Sequence, residues 1–222
     1  MIWHVYQRAL ETGLAKENIV IATDHPEIEA VCKAFDAQVV MTCESHESGT
    51  DRLAEVALAL GWSKDDIVVN LQGDEPLVPQ EYISLVANAV AESGMGMATL
   101  GCDITSVAEL SDPNCVKLVA DTKGKALYFS RATIPFVRDG VSDEVITSHQ
   151  VFQRHIGMYA YRVDTLLTLA ELTPVALEEL EKLEQLRALF NGIDIHVTRV
   201  AERPAHGVDT LEDLERVRQL IA

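Results

Sequence analysis

Apolar positions along the chain fall into two alternating periods. Ile2, Val5, Tyr6, Ala9 and Leu10 recur at helical spacing, and Gly13 is placed to stop that helix. Residues 18–23 (NIVIAT) form an apolar run too short for a helix and rich in branched side chains, which predicts a strand. Pro26 opens a second helix through Phe35, residues 38–42 (QVVMT) predict a second strand, and residues 51–60 a third helix. Residues 67–71 (IVVNL) then read as a buried strand, and a helix after Pro79 runs to Glu92. Strands that are apolar throughout and alternate with helices imply a parallel sheet covered on both faces.

The second half has a different rhythm. Residues 115–120 and 126–131 flank Asp121-Thr122-Lys123-Gly124, a hairpin turn by composition. Residues 154–162 predict another strand, 174–190 one long helix, 193–200 a strand, and a closing helix starts at Leu211. The expected fold is α/β: a doubly wound, mostly parallel sheet with an inserted antiparallel β subdomain, all in one domain. The chain opens on a helix with no strand before it. A doubly wound fold places its phosphate-binding turn between a first strand and a first helix, so the sequence reads as starting within that motif.

Charge narrows the classes of partner. Eighteen Lys and Arg against 35 Asp and Glu give a net charge of −17, in a chain of 222 residues that is 48% hydrophobic. That hydrophobicity excludes a disordered chain. The acidity argues against a nucleic-acid polymer or an anionic membrane surface as partner, because counterion release needs a basic face. It leaves room for a small anion held by a few placed cations or a metal. Cys32, Cys43, Cys102 and Cys115 form no C-x-x-C, and no His pair stands at zinc spacing beside them. Scattered thiols of this kind fit a reducing compartment. The first eight residues read as neither a basic n-region nor an apolar h-region, so a secretory signal is not expected, and no uncharged apolar run reaches the ~18 residues that a span needs; a cytoplasmic location is expected.

Several segments could carry chemistry. Gln72-Gly73-Asp74-Glu75-Pro76 follows the strand IVVNL, and open α/β sheets bind ligands beyond the carboxyl ends of their strands. A carboxylate there can hold Mg²⁺, which prefers oxygen and shares its shell with phosphates; composition alone favours an acidic turn. Ser48-Gly49-Thr50-Asp51-Arg52 suits a phosphate, ribose or base edge at a helix start, or simple capping by Ser48 or Thr50. Asp209 precedes the last helix, with Glu212 three residues on as in a capping box; alternatively it joins Asp74 on one metal. In the strand 154–162, His155, Gly157, Tyr159 and Tyr161 share one face, either a sugar-binding surface open at its glycine or a half-buried sheet face. Arg131 ends the strand ALYFS as a solvated terminus or a carboxylate clamp. On the long helix, Leu180, Leu183, Leu186 and Phe190 are expected inward, with Arg187 in the middle of that face and Glu184 on its flank. An inward charge needs a partner. Gln185 falls on the polar side by this count.

In their order, S-G-T-D-R-L, V-N-L-Q-G-D-E-P, A-L-Y-F-S-R-A-T-I-P, R-H-I-G-M-Y-A-Y-R, L-E-K-L-E-Q-L-R and G-V-D-T-L-E-D-L-E resemble the motif series of the 3-deoxy-manno-octulosonate (Kdo) cytidylyltransferases. The resemblance runs nearly the whole chain and implies the nucleotide-diphospho-sugar transferase type of fold. It implies Mg²⁺-dependent transfer of CMP from CTP to Kdo, for lipopolysaccharide inner-core synthesis in a Gram-negative cytoplasm. It puts Asp74 and Asp209 on the metal, and Gln72, Arg131, His155, Tyr159, Glu184 and Gln185 on the sugar acid, with Arg131 at its carboxylate. Ser48 and Arg52 fall in the nucleotide-binding loop. Residues 118–162 or so correspond to an insertion that builds a homodimer.

Members of that family begin with a strand and a basic loop, R-x-x-S-x-R-L-P-G-K-P, and Met1 aligns just after it. Arg8 and Lys16 do not replace that loop's cations, since they lie on or just past the first helix. Two expectations of different class follow: an active cytidylyltransferase whose loop is encoded upstream, or a non-catalytic dimeric remnant that keeps the sugar face and binds CTP weakly. Reading the DNA upstream of Met1 in frame separates them. For the 222-residue polypeptide as it stands, little or no pyrophosphate release from CTP, Kdo and Mg²⁺ is expected; release at a normal family rate would defeat that expectation.

Overall fold

The computed structural model describes residues 1–46, 48–205 and 207–221. Helix α1 (Ile2–Glu11) is followed by strand β1 (Val20–Thr23), α2 (Pro26–Ala34), β2 (Gln38–Met41), α3 (Gly49–Leu60), β3 (Ile67–Asn70) and α4 (Gln80–Ser93), as the apolar pattern predicted to within two residues. Pro26 starts α2 because its fixed φ suits the first helical position, and Gly61 and Gly94 end α3 and α4 with left-handed φ of 65° and 73°.

The middle of the chain holds elements that the pattern did not predict: β4 (Met97–Asp103), α5 (Val107–Ser111), α6 (Asp143–His149) and α7 (Val163–Glu171). Strand β4 carries buried residues from Met97 to Cys102, so it shows no alternation to read. Between these lie β5 (Lys117–Ala120), β6 (Ala126–Ser130) and β7 (Gln153–Arg162). The turn 121–124 closes the β5–β6 hairpin with Gly124 at φ 80°. Strand β8 (Ile195–Val200) and α10 (Leu211–Ile221) complete the chain.

β1 and β2 pair in parallel as a two-stranded unit, and the other strands form one sheet in the order β6-β5-β7-β4-β8, with β3 also on β7. Within it β3, β4 and β8 run in one direction and β7 runs against them. The antiparallel hairpin expected as an insertion therefore continues the main sheet, through the pairing of β5 with β7. Alternate residues feed two cores. Met97, Tyr161, Ile195 and Val197 face α7 with Leu166 and Leu169, whereas Ala98, Leu100, Ile156 and Met158 face α4 with Val86 and Val90. α3 packs on both β1 and β3.

One expectation needs correction. The predicted single helix over 174–190 is two short helices, α8 (Ala176–Glu181) and α9 (Gln185–Phe190), separated by Lys182 in the left-handed region at φ 53°. On one unbroken helix Glu178 and Arg187, nine residues apart, would sit on opposite faces at about 100° per residue. The break brings them together: Arg187 Nε donates to Glu178 Oε2 at 2.8 Å and Nη2 to Oε1 at 2.5 Å. Arg187 is buried, so the expectation of an inward charge with a partner holds. Leu183 and Leu186 also turn inward, but Leu180 and Phe190 are 82% and 64% exposed. The turn satisfied the buried ion pair rather than the full leucine stripe.

Glu178→Ala strands Arg187 as an uncompensated buried charge, and breaking such a pair costs about 3–5 kcal/mol. Urea denaturation is expected to report a loss of that order.

Candidate active site

Beyond the carboxyl ends of the strands lies a cleft of about 120 Å³. Its floor is Asn70 and Gln72 from the end of β3, and one wall is Gly157, Tyr159 and Tyr161 of β7. The start of α3 contributes Gly49 and Thr50, and the start of α9 contributes Glu184 and Gln185. Gly49 is a place where close approach is required: a Cβ there would lie 3.3 Å from Asn70 Nδ2 and 3.4 Å from Gln72 Nε2. At Gly157 a Cβ would meet nothing within 4 Å, so the strand leaves open space on that side.

Of the residues expected at a sugar site, Gln72, Tyr159, Glu184 and Gln185 line this cleft together. Of the six buried side-chain polar atoms without a hydrogen-bond partner among the described residues, three lie here: Tyr159 Oη, Glu184 Oε1 and Gln185 Nε2. Orphaned buried polar groups are rare and cost about 1–3 kcal/mol each, so their gathering on one cleft implies a polar ligand. Burial pushes the Glu184 carboxyl up, against the pull of the Thr50 and Ser48 hydroxyls beside it. Burial also pushes the Tyr159 and Tyr161 phenols up. The polar-face position expected for Gln185 is overturned: the break at Lys182 turns its side chain inward, leaving it 6% exposed.

His155 stands behind this wall in a ladder of rings. Its centroid is 5.1 Å from Phe129 and 5.3 Å from Tyr159, and Tyr159 stacks at 5.9 Å on Tyr161. Burial, with help from the Arg154 charge, pushes the imidazole down to about 3, so it is neutral at pH 7.

The segment just before Asp209 meets Asp74 through the backbone. Val208 N donates to Asp74 O at 2.9 Å, and a Cβ on Gly207 would lie 3.2 Å from the same carbonyl. The Tyr82 hydroxyl donates to Glu202 O at 2.5 Å and ties this segment to α4. The capping box expected from Asp209 and Glu212 is displaced by one residue. Thr210 Oγ1 accepts from Asp213 N at 3.1 Å, and Asp213 Oδ2 accepts from Thr210 N at 3.0 Å, which leaves Asp209 outside the cap. Glu75 is pushed up first by burial and then by the charges of Asp74 and Asp209. Among the described residues no group of three or more His, Cys, Asp or Glu is gathered closely enough to hold a metal ion, so this segment brings carboxylates near one another without forming a closed cation site.

Arg131 and Arg52 are engaged away from the cleft, and Ser48 stands at its edge beside Glu184. Arg131 Nε donates to Glu181 O at 2.7 Å and Nη1 to Pro113 O at 3.0 Å, so much of its fork is already engaged outside the cleft. The ammonium of Lys117, fully buried, donates to Arg131 O at 2.5 Å and to two other carbonyls, fixing that corner. Ser48 caps α3, its Oγ accepting from Asp51 N at 3.2 Å. Arg52 bonds to Thr42 and, at 2.6 Å, to Asp24, locking α3 to the ends of β1 and β2. Thr50 and Asn70 were not singled out from sequence as site residues. Asn70 had a signal, as the polar end of an apolar strand; Thr50 had none beyond capping.

Comparison with known proteins adds a family context. Residues 1–195 match the model of a family described as cytidylyltransferase. The chain is 49% identical over its whole length to 3-deoxy-manno-octulosonate cytidylyltransferase 1 of Actinobacillus pleuropneumoniae serotype 5b, covering 89% of that protein. It is 50% identical, again over its whole length, to the 3-deoxy-manno-octulosonate cytidylyltransferase of Vibrio vulnificus CMCP6, covering 88%. A solved CMP:2-keto-3-deoxy-manno-octonic acid synthetase complexed with CTP superposes with a TM-score of 0.87 at 40% identity, over 99% of this chain and 86% of that one. A glucose-1-phosphate thymidylyltransferase structure from Bacillus anthracis, 17% identical with a TM-score of 0.60, shares the fold.

The depressed His155 predicts a pH dependence. Between about 6.5 and about 3 the unfolded chain binds a proton here that the folded one does not, so stability falls as pH falls through this window. In urea titrations from pH 7 to pH 4, His155→Gln is expected to show a shallower loss than wild type.

Proposed function

The chain belongs to the cytidylyltransferase family, in company with the Kdo cytidylyltransferases, and on that premise we propose that it transfers CMP from CTP to Kdo. The anomeric hydroxyl of the sugar acid attacks the α-phosphorus of CTP. A new P–O bond forms to the sugar, the bond to the β-phosphate bridge breaks, the hydroxyl proton leaves, and pyrophosphate departs. The observation that carries the sugar side of this reading is the trio of unpartnered buried polar atoms on Tyr159, Glu184 and Gln185, which hydroxyls of a sugar acid would satisfy.

Gln72, Tyr159, Glu184 and Gln185 bind the sugar, with His155 behind them and Arg131 at its carboxylate. Arg131 would reach that carboxylate only with the part of its fork that backbone carbonyls leave free. Ser48 and Arg52 shape the loop that faces the nucleotide. Asp74 and Asp209 would hold Mg²⁺, which neutralises phosphate charge in transfers of this kind and lets an acidic protein bind a nucleotide. Leu127, Phe136 and Val151, large apolar side chains exposed in or beside the β5–β7 region, support a homodimer formed through it. Among the described residues no helix is long and apolar enough to cross a membrane. A cytoplasmic enzyme supplying activated Kdo to lipopolysaccharide assembly is the setting that fits. The alternative of a non-catalytic remnant is not favoured, given relatives at 49–50% identity over the full chain.

Two measurements test the reading, which sets aside the expectation of little or no pyrophosphate release: that release with CTP, Kdo and Mg²⁺, and Kdo binding by calorimetry in the presence of CTP and Mg²⁺. Asp74→Ala is expected to lower turnover at least ~100-fold, the scale of losing one preorganised electrostatic group, and to leave the oligomeric state unchanged. Glu184→Gln is expected to weaken Kdo binding. Kdo binding without turnover would favour the remnant; neither binding nor turnover would overturn the proposal.

A further inference from the structure

The face that lines the sugar cleft is interrupted by a two-residue bulge. β4 and β7 pair Thr99 with Tyr159 but then Leu100 with Ile156, so Gly157 and Met158 have no partner on β4. Pairing with β3 ends at Tyr159, and pairing with β5 covers Gln153 and Arg154. The segment 156–158 is therefore the part of β7 that the ladders hold least. Bulges at such places re-aim side chains toward a site.

One side chain clamps the bulge. Thr99 is completely buried in an otherwise apolar stretch of β4. Its Oγ1 lies 2.8 Å from Met158 O, 3.1 Å from Ile156 O and 3.0 Å from His155 Nε2. A hydroxyl has a single proton, and a carbonyl oxygen can only accept. That proton goes to the Ile156 and Met158 carbonyls on either side of Gly157, so toward His155 the hydroxyl presents a lone pair. The imidazole must then donate from Nε2. Because the ring is neutral, Nδ1 then carries no proton.

We infer that Thr99 is a positioning residue that fixes His155 as its Nε2–H tautomer and, through the bulge it clamps, sets Tyr159 on the wall of the sugar cleft. The second part rests on the proposed sugar site. The same clamp holds the bulge open at Gly157 and sets the spacing between His155, behind the wall, and Tyr159 on it.

Long-range ¹H–¹⁵N spectra of the histidine side chains at pH 7, on ligand-free protein, test the tautomer directly. The His155 signal, assigned with His155→Gln, is expected to show a protonated Nε2 and a bare Nδ1. In Thr99→Val that pattern is expected to be lost, and calorimetric Kd for Kdo to rise about tenfold, the scale of one hydrogen bond, with the KM for CTP unchanged. Thr99→Ser, which keeps the hydroxyl, is expected to restore both. An Nδ1–H tautomer in the wild type overturns the inference, as does wild-type Kdo affinity in a folded Thr99→Val. Should Thr99→Val fail to fold, the wild-type spectrum and Thr99→Ser decide. A wild type with the expected tautomer that binds no Kdo would instead defeat the proposed sugar site and leave the tautomer assignment standing.

Discussion

Strand β7 has to hydrogen-bond to β3, β4 and β5 at different points along its ten residues, and the rest of the architecture accommodates that requirement. Running against its neighbours, it joins the α/β half of the chain to the β5–β6 hairpin, so a single sheet carries both. Its outer face must bury Ile156, Met158 and Ala160 against α4, while its inner face stacks rings that end in a nitrogen or a hydroxyl. The ladders cannot stay in step from β3 to β5 without slack, and the bulge at Gly157–Met158 supplies it. Because the bulge holds two residues, the alternation of faces survives it, and His155 and Tyr159 still point the same way.

The second organising pressure is the cost of buried charge and unpaired polarity. Arg187 and Glu178 can meet only if the chain turns between them, and that turn swings Glu184 and Gln185 to the cleft. One solved burial problem thus places two polar groups whose own needs stay unmet inside the protein. The same logic runs through Lys117, whose buried ammonium is satisfied by three carbonyls, and Thr99, whose hydroxyl serves a ring and two carbonyls. On the cleft, Tyr159 Oη, Glu184 Oε1 and Gln185 Nε2 find no such partner among the described residues.

Much of this was legible from residue order. Helices and strands through residue 93 follow the apolar periods closely, because each element there has a single buried stripe or a short apolar run. The polar face of His155, Gly157, Tyr159 and Tyr161 was visible as a period of two. What stayed hidden had physical causes. β4 is buried on both sides and so carries no alternation, and Thr99 within it looks like any β-branched residue. Leu180, Leu183, Leu186 and Phe190 have a spacing that suits one continuous helix, and only a contact between residues nine apart reveals that it breaks. The Asp209 cap was misplaced by one residue because Thr210-Asp213 and Asp209-Glu212 are equally good patterns until the backbone chooses.

The sequence by itself determined the α/β alternation, the family motifs and the residue types available for binding a sugar acid and a metal, since periodicity and short motifs are local properties. Only the tertiary structure decided which of those residues meet. It brought the 207–208 segment onto the Asp74 carbonyl, rotated Gln185 from the solvent side to the cleft, engaged Arg131 with backbone carbonyls, and set a buried hydroxyl beside His155. Convergence depends on how distant segments share one interior, and burial and pairing energies across the whole fold settle that, rather than the order of residues within any one stretch.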